Sequence, residues 1–265
     1  MRLYAEHVGI AYGKQMIVED LSVEIPAGKI TALIGANGSG KSTILKTMCR
    51  LMAPVSGQIV LDGKAIHTQP TKELAKRLSV LPQNPEAPEG LTVRELISYG
   101  RSPHKAGFGR LNQRDEEIID RAMEVTSITE FGKRPLDQLS GGQRQRAWIA
   151  MCIAQDTDIL FLDEPTTFLD MAHQIGVMKL LKRLNEEFGR TIVMIVHDLN
   201  HASRFADHII AIRAGRIVSQ GTPDEVVTAQ VCREVFGVTA DILTDRYSGK
   251  PLCVPIDTVE KEQVL

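Results

Sequence analysis

Residues 35–43 read GANGSGKST and fit the spacing G-x-x-x-x-G-K-[ST]. The glycines let backbone N–H groups come close to a phosphate, Lys41 brings a point charge, and the Ser42 hydroxyl can ligate Mg²⁺. Such a run works only between a strand and a helix. Residues 30–34 (ITALI) read as a short apolar strand, and Ile44, Leu45, Met48 and Leu51 predict one face of the helix that follows. Two carboxylates stand at the end of a second apolar run, Ile159 to Leu162. In open α/β sheets, ligand groups lie just past the carboxyl ends of strands. Asp163 is placed there to hold Mg²⁺, and Glu164 to orient or deprotonate a water. A third apolar run, Ile192 to Val196, ends in His197, which can donate a hydrogen bond to a phosphate at the same edge. Gln83 ends a strand-like segment, Leu78 to Leu81, and its neutral side chain can reach Mg²⁺ or the water. Tyr12, ahead of the glycine loop, can stack on an adenine or serve as an edge tyrosine.

Leu139-Ser140-Gly141-Gly142-Gln143 is the least ordinary stretch. Ser140 with Gln143 makes a capping box, and Ala147 to Ala150 reads as the buried side of the helix it opens. Gly141 and Gly142 leave the first N–H groups of that helix bare, which makes an anion site.

The motifs occur in the order Tyr12, GANGSGKST, Gln83, LSGGQ, ILFLDE, residues 167–170 (TFLD) and His197. That order resembles the aromatic loop, Walker A, Q-loop, signature, Walker B, D-loop and H-loop of an ABC ATPase, over nearly the whole chain. Residues 89–104, 139–150, 162–170, 197–210 and 248–252 resemble the ATPases of ferric-siderophore importers of the hydroxamate and enterobactin kinds. Ala36 stands where those ATPases often have proline, a position that contributes backbone only.

The resemblance implies a P-loop NTPase (RecA-like) α/β core, with an antiparallel β subdomain and an inserted α-helical subdomain. It implies ATP and Mg²⁺ as ligands. Gly35, Ala36, Asn37, Gly38, Ser39, Gly40, Lys41, Ser42 and Thr43 would cradle the phosphates, with Tyr12 on the base. Ser42, Gln83 and Asp163 would serve the metal; Glu164, His197 and Gln83 would serve hydrolysis. Ser140, Gly141, Gly142 and Gln143 would cover the nucleotide of a second copy, and Asp170 would lie at that dimer interface. The other implied partners are transmembrane permease subunits, met by residues 84–90 (NPEAPEG), and indirectly a substrate-binding protein. Related importers of haem or cobalamin use similar ATPases, so the cargo stays open at this point. A non-transport ABC ATPase and a phosphotransferase are the competing classes. Neither finds the long coiled coil, zinc module, second cassette or acceptor site it would need.

The 265 residues allow one or two domains. The resemblance implies a single ABC ATPase domain over residues 1–265, divided into a nucleotide-binding core of 1–83 and 156–228, a helical subdomain of 84–155 with the signature motif and a C-terminal extension of 229–265. Within these, Thr92 with Glu95 opens one helix and Asp115 to Val125 forms another. Ile209 to Ser219 folds as a hairpin about Ala214-Gly215, and Thr222-Pro223 starts a helix. The tail after Pro255 is charged and is expected to be loose. A net charge of −2 gives no footprint for nucleic acid. The four cysteines form no C-x-x-C pair and suit a reducing compartment. With no apolar leader or run of membrane-spanning length, the expected place is the cytoplasmic face of the membrane, held there by the permease.

Overall fold

The computed structural model describes residues 2–105 and 110–259. In chain order the first strands are β1 (Leu3–Tyr12), β2 (Gln15–Ile25) and β3 (Ile30–Ile34), and the first helix is α1 (Lys41–Met48). Then come β4 (Ser56–Leu61), β5 (Lys64–Ala65), α2 (Thr71–Leu74) and β6 (Leu78–Leu81). A helical stretch holds α3 (Val93–Tyr99), α4 (Gln113–Val125) and α5 (Gly141–Ala154). It is followed by β7 (Ile159–Leu162), α6 (Met171–Phe188), β8 (Thr191–Ile195) and α7 (Leu199–Phe205). The last elements are β9 (His208–Arg213), β10 (Arg216–Gly221), α8 (Pro223–Val226), α9 (Ala229–Val231), β11 (Val238–Thr244) and β12 (Pro251–Thr258).

Two compact units are formed, one from Met1–His67 with Val193–Leu265 and the other from Thr68–Ile192. In the first, β2, β1, β4 and β5 make an antiparallel sheet in that order. Beside it β3 runs parallel to β9, with Thr31 opposite His208 and Ile34 opposite Ala211, and β10 returns antiparallel to β9. β3 is apolar apart from Thr31 and buried throughout, as a strand covered on both faces must be. In the same unit β11 and β12 form a separate hairpin. That hairpin is fastened to α7: Asn200 accepts from the Cys253 N–H at 2.8 Å and donates to the Cys253 carbonyl at 3.0 Å. Ser203 donates to the Pro251 carbonyl at 2.6 Å.

The second unit pairs β6 with β7 in parallel, Leu78 opposite Ile159 and Leu81 opposite Leu162. Its helices α3, α4 and α5 start on side-chain caps. The Thr92, Asn112 and Ser140 side chains each accept from the backbone N–H three residues on, and Glu95, Asp115 and Gln143 reach back. Arg101 and Asp115 are both buried and bonded, Nε to Oδ1, at 2.8 Å. Arg101 Nη1 donates to the Ala154 carbonyl at 2.8 Å, so one guanidinium ties together α4, the end of α5 and the turn after α3.

Leu51 does not extend the apolar face of α1: that helix ends at Met48, Arg50 turns left-handed at φ 62°, and Leu51 is exposed. The chain after Pro255 is not loose at once. β12 continues to Thr258, held by its ladder to β11, with its polar residues on exposed positions. Residues 260–265 lie outside the described residues. The helix of Asp115–Val125 begins two residues earlier, at Gln113, because Asn112 supplies the cap. No helix among the described residues is long and apolar enough to cross a membrane.

Candidate functional site

In the first unit, the loop of residues 35–40 leaves the end of β3 and enters α1. Gly40 takes φ 100°, a left-handed turn, and no side chain caps the helix behind it. The first N–H groups of α1 therefore face the loop. Gly35 is forced by close packing: a Cβ there would lie 2.2 Å from the Ile212 carbonyl oxygen of β9. The turn of the β9–β10 hairpin braces the loop, with the Gly215 N–H donating to the Ser39 carbonyl at 2.9 Å. Lys41 is buried, and its ammonium donates to the Gly35 and Ala36 carbonyls, each at 2.9 Å. It is thereby held under the loop as a fixed charge. Ala36, Asn37 and Gly38 are exposed. The Ser39 hydroxyl is buried with no hydrogen-bond partner among the described residues. A buried hydroxyl left this way is costly, and it fits a loop shaped for an anion that supplies the partner.

His197 follows Val196, whose N–H donates to the Leu33 carbonyl at 3.2 Å. That bond puts His197 at the end of β3 from which the loop departs. Tyr12 closes β1 opposite Gln15 and is half exposed. On β2, Ile17 lies 3.5 Å from where a Gly40 Cβ would be.

In the second unit, the Asp163 N–H donates to the Leu81 carbonyl at 2.9 Å, which aligns the ends of β6 and β7. Gln83 and Glu164 meet there: Gln83 Nε2 donates to Glu164 Oε2 at 2.5 Å. The Thr167 hydroxyl donates to the same oxygen at 3.0 Å. Glu164 has φ 55°, a left-handed backbone that side-chain-bearing residues rarely adopt. Asp163 beside it is buried. From the sequence Thr167 is read only as the first residue of the TFLD stretch and not as a partner of Glu164, although its place three residues after the glutamate is a usual reach for a hydroxyl.

Ser140 Oγ accepts from the Gln143 N–H at 3.3 Å, and Gln143 Oε1 accepts from the Ser140 N–H at 3.0 Å. Gln143 is thus occupied as the cap of α5. Gly142 is buried, and the ring of His173 takes up the space a side chain there would need. Asp170 caps α6, accepting from the His173 N–H at 2.9 Å and lying 2.7 Å from His173 Nδ1. Those two bonds, the backbone one first, hold the Asp170 carboxyl below the usual carboxylate range.

So Tyr12, the loop, Lys41, Ser42, Thr43 and His197 belong to the first unit. Gln83, Asp163, Glu164, Ser140 to Gln143 and Asp170 belong to the second. A cavity of about 350 Å³ in the second unit, walled by Arg114, Arg121, Cys152 and Phe188, contains none of these residues.

A buried strand, a glycine loop with a lysine clamped among its carbonyls and a helix with an uncapped start place the chain among the P-loop nucleotide-binding proteins. Comparison with known proteins narrows this class. The ABC transporter family pattern matches residues 18–167, and the chain belongs to that family of ATP-hydrolysing proteins. It is 55% identical over 263 residues to the iron(3+)-hydroxamate import ATP-binding protein FhuC of Bacillus subtilis (strain 168), covering 99% of this chain and 98% of that one. It is 49% identical over 255 residues to the ferric enterobactin transport ATP-binding protein FepC of Escherichia coli (strain K12), covering 96% and 94%. Among solved structures, the dimeric post-hydrolysis state of the ATP-binding cassette MJ0796 with ADP and Pi superposes with TM-score 0.71. It is 28% identical and covers 83% of this chain and 98% of that one.

Proposed function

We propose that this chain is the ATPase subunit that drives import of iron(III)–siderophore complexes through a membrane permease. The observation that carries the cargo class is the end-to-end match to an iron(3+)-hydroxamate import protein, with 99% of this chain aligned. In this reading the loop of residues 35–43 holds the ATP phosphates, with Tyr12 on the base, and Lys41 balances their charge. Ser42, Gln83 and Asp163 are oxygen donors of the kind that suits Mg²⁺, and the metal neutralises phosphate charge when bound. Glu164 orients and deprotonates the attacking water, and Gln83 and Thr167 hold its carboxylate in place. His197 donates to the terminal phosphate.

Two copies pack head to tail, each presenting Ser140 to Gln143 to the nucleotide of the other and Asp170 to the interface. ATP then acts as a ligand of the closed pair, and hydrolysis removes that preference. Residues 84–90 meet the permease, which keeps the chain on the cytoplasmic face of the membrane and works with a substrate-binding protein outside. The test is uptake in a strain lacking the gene, with radiolabelled ferric hydroxamates, ferric catecholates, haem and cobalamin. Loss of ferric siderophore uptake alone, restored by the wild-type gene but not by Glu164→Gln, is the expected result. Unchanged siderophore uptake, or loss of haem or cobalamin uptake instead, would overturn the assignment.

A further inference from the structure

In the second unit the start of α5 meets the start of α6 where glycines face larger side chains. A Cβ built on Gly141 would lie 3.7 Å from Leu169 Cδ2, and one on Gly176 would lie 3.1 Å from Arg146 Nη2. Between these, a Cβ on Gly142 would lie 2.0 Å from His173 Cδ2, 2.7 Å from its Cγ and 2.8 Å from its Nε2. No such approach occurs between real atoms, so an alanine at 142 fits only if the ring leaves. The ring is not free to leave at no cost. Its Nδ1 lies 2.7 Å from Asp170 Oδ1, and the same oxygen takes the His173 N–H at 2.9 Å. One edge of the imidazole therefore rests on the backbone of Gly142, and the other is fixed by the cap of α6.

We infer that His173 is a positioning residue that joins Asp170 to the first turn of α5, and that position 142 is glycine because this imidazole occupies its side-chain space. The inference deepens the proposed function and rests on its assignment of Ser140 to Gln143 as the cover of a second copy's nucleotide. The N–H groups that open α5 have a direction only as good as the hold on that helix end. His173 supplies the hold, and it supplies it from the residue pair that begins α6. Asp170 and the signature turn thus move as one piece. If Gly142 were glycine solely to let a nucleotide approach, removing the imidazole of the same chain could not rescue a larger residue there.

The experiment is a double-mutant cycle of Gly142→Ala and His173→Ala, built in the Glu164→Gln background, with His173→Gln as the conservative variant. ATP-dependent self-association is followed by light scattering, monomer affinity by a fluorescent ATP analogue, and folding by thermal melts. Residues in contact couple strongly, so each single change weakens self-association about tenfold, whereas the double variant is no worse than His173→Ala. Monomer affinity for the analogue stays within about twofold of the parent throughout, since it belongs to the loop of Lys41. His173→Gln, which keeps a donor for Asp170, recovers part of the loss. The inference is overturned if His173→Ala associates like the parent, or if the double variant is as much worse than His173→Ala as Gly142→Ala is than the parent. If the parent itself fails to associate with ATP, the dimer reading fails. The melts then decide the contact: Gly142→Ala must lower the midpoint, and adding His173→Ala must not lower it further.

Discussion

Glu164 combines the carboxylate proposed for catalysis with a backbone that carries a cost, and substitutions can separate the two. A non-glycine residue in the left-handed region costs about 1–2 kcal/mol, and Glu164 sits there at φ 55°. Alanine at 164 removes the carboxylate that Gln83 and Thr167 engage and keeps the backbone cost. Glycine removes both, but returns about 0.5–1 kcal/mol through its freedom in the unfolded chain. Glu164→Gly is therefore expected to be more stable than Glu164→Ala by about 1 kcal/mol, a difference of about 2–4 °C in Tm for a chain of this size. Glu164→Gln retains the cost and an acceptor for both donors, and should melt close to the wild type. All three lack the base, so turnover falls by a factor of about 10²–10⁴ in each. Phosphate release and thermal melts on the four proteins read both quantities. Alanine matching or exceeding glycine in stability would remove the backbone argument. Any of the three variants within about tenfold of wild-type turnover would remove Glu164 from the chemistry.

Arg101→Ala leaves Asp115 buried without its partner and should cost about 3–5 kcal/mol in urea melts at neutral pH. Burial pushes the Asp115 carboxyl up, but the Arg101 guanidinium and the Asn112 N–H outweigh it and the group lies below its ordinary value. A carboxyl lowered in the folded state contributes stability above its unfolded pKa of about 3.9 and loses it as pH falls through the folded value. The stability gap between wild type and Asp115→Asn should accordingly narrow below about pH 4, and a gap independent of pH would contradict the pairing. Burial pushes the Cys152 and Cys232 thiols up to about 12, with Cys253 adding to the effect on Cys232. At pH 8 both should react with iodoacetamide about a thousandfold more slowly in the folded protein than in urea, measured by peptide mass spectrometry; equal rates would show them to be exposed.

Much of this was legible in the sequence because each chemical residue ends a strand or opens a helix. The apolar runs 30–34 and 159–162 fall on β3 and β7, the strand-like segment 78–81 falls on β6, and the boxes at Thr92 and Ser140 cap α3 and α5. Caps and buried parallel strands are local, so a few residues specify them. What failed to show was set by distant contacts. Arg50 turns left-handed and lifts Leu51 off the helix face, which no apolar spacing reveals. The run after Pro255 is polar enough to read as a tail, yet its ladder partners come from Val238–Thr244. The ring that fills the side-chain space of Gly142 lies 31 positions away, and nothing in LSGGQ names His173. The sequence does contain one clue: Asp170 and His173 have the D-x-x-H spacing of a cap bonded to its own helix.

The fastening of the β11–β12 hairpin to α7 gives the molecule a handle. Asn200 grips Cys253 from both sides and Ser203 grips Pro251, and the helix bearing them starts immediately after His197-Asp198. The hairpin turn ends in solvent at Tyr247, which is 79% exposed. A dye placed at 247 would therefore sit on the hairpin that α7 holds, and α7 itself starts beside His197. Its signal would track what α7 does during turnover.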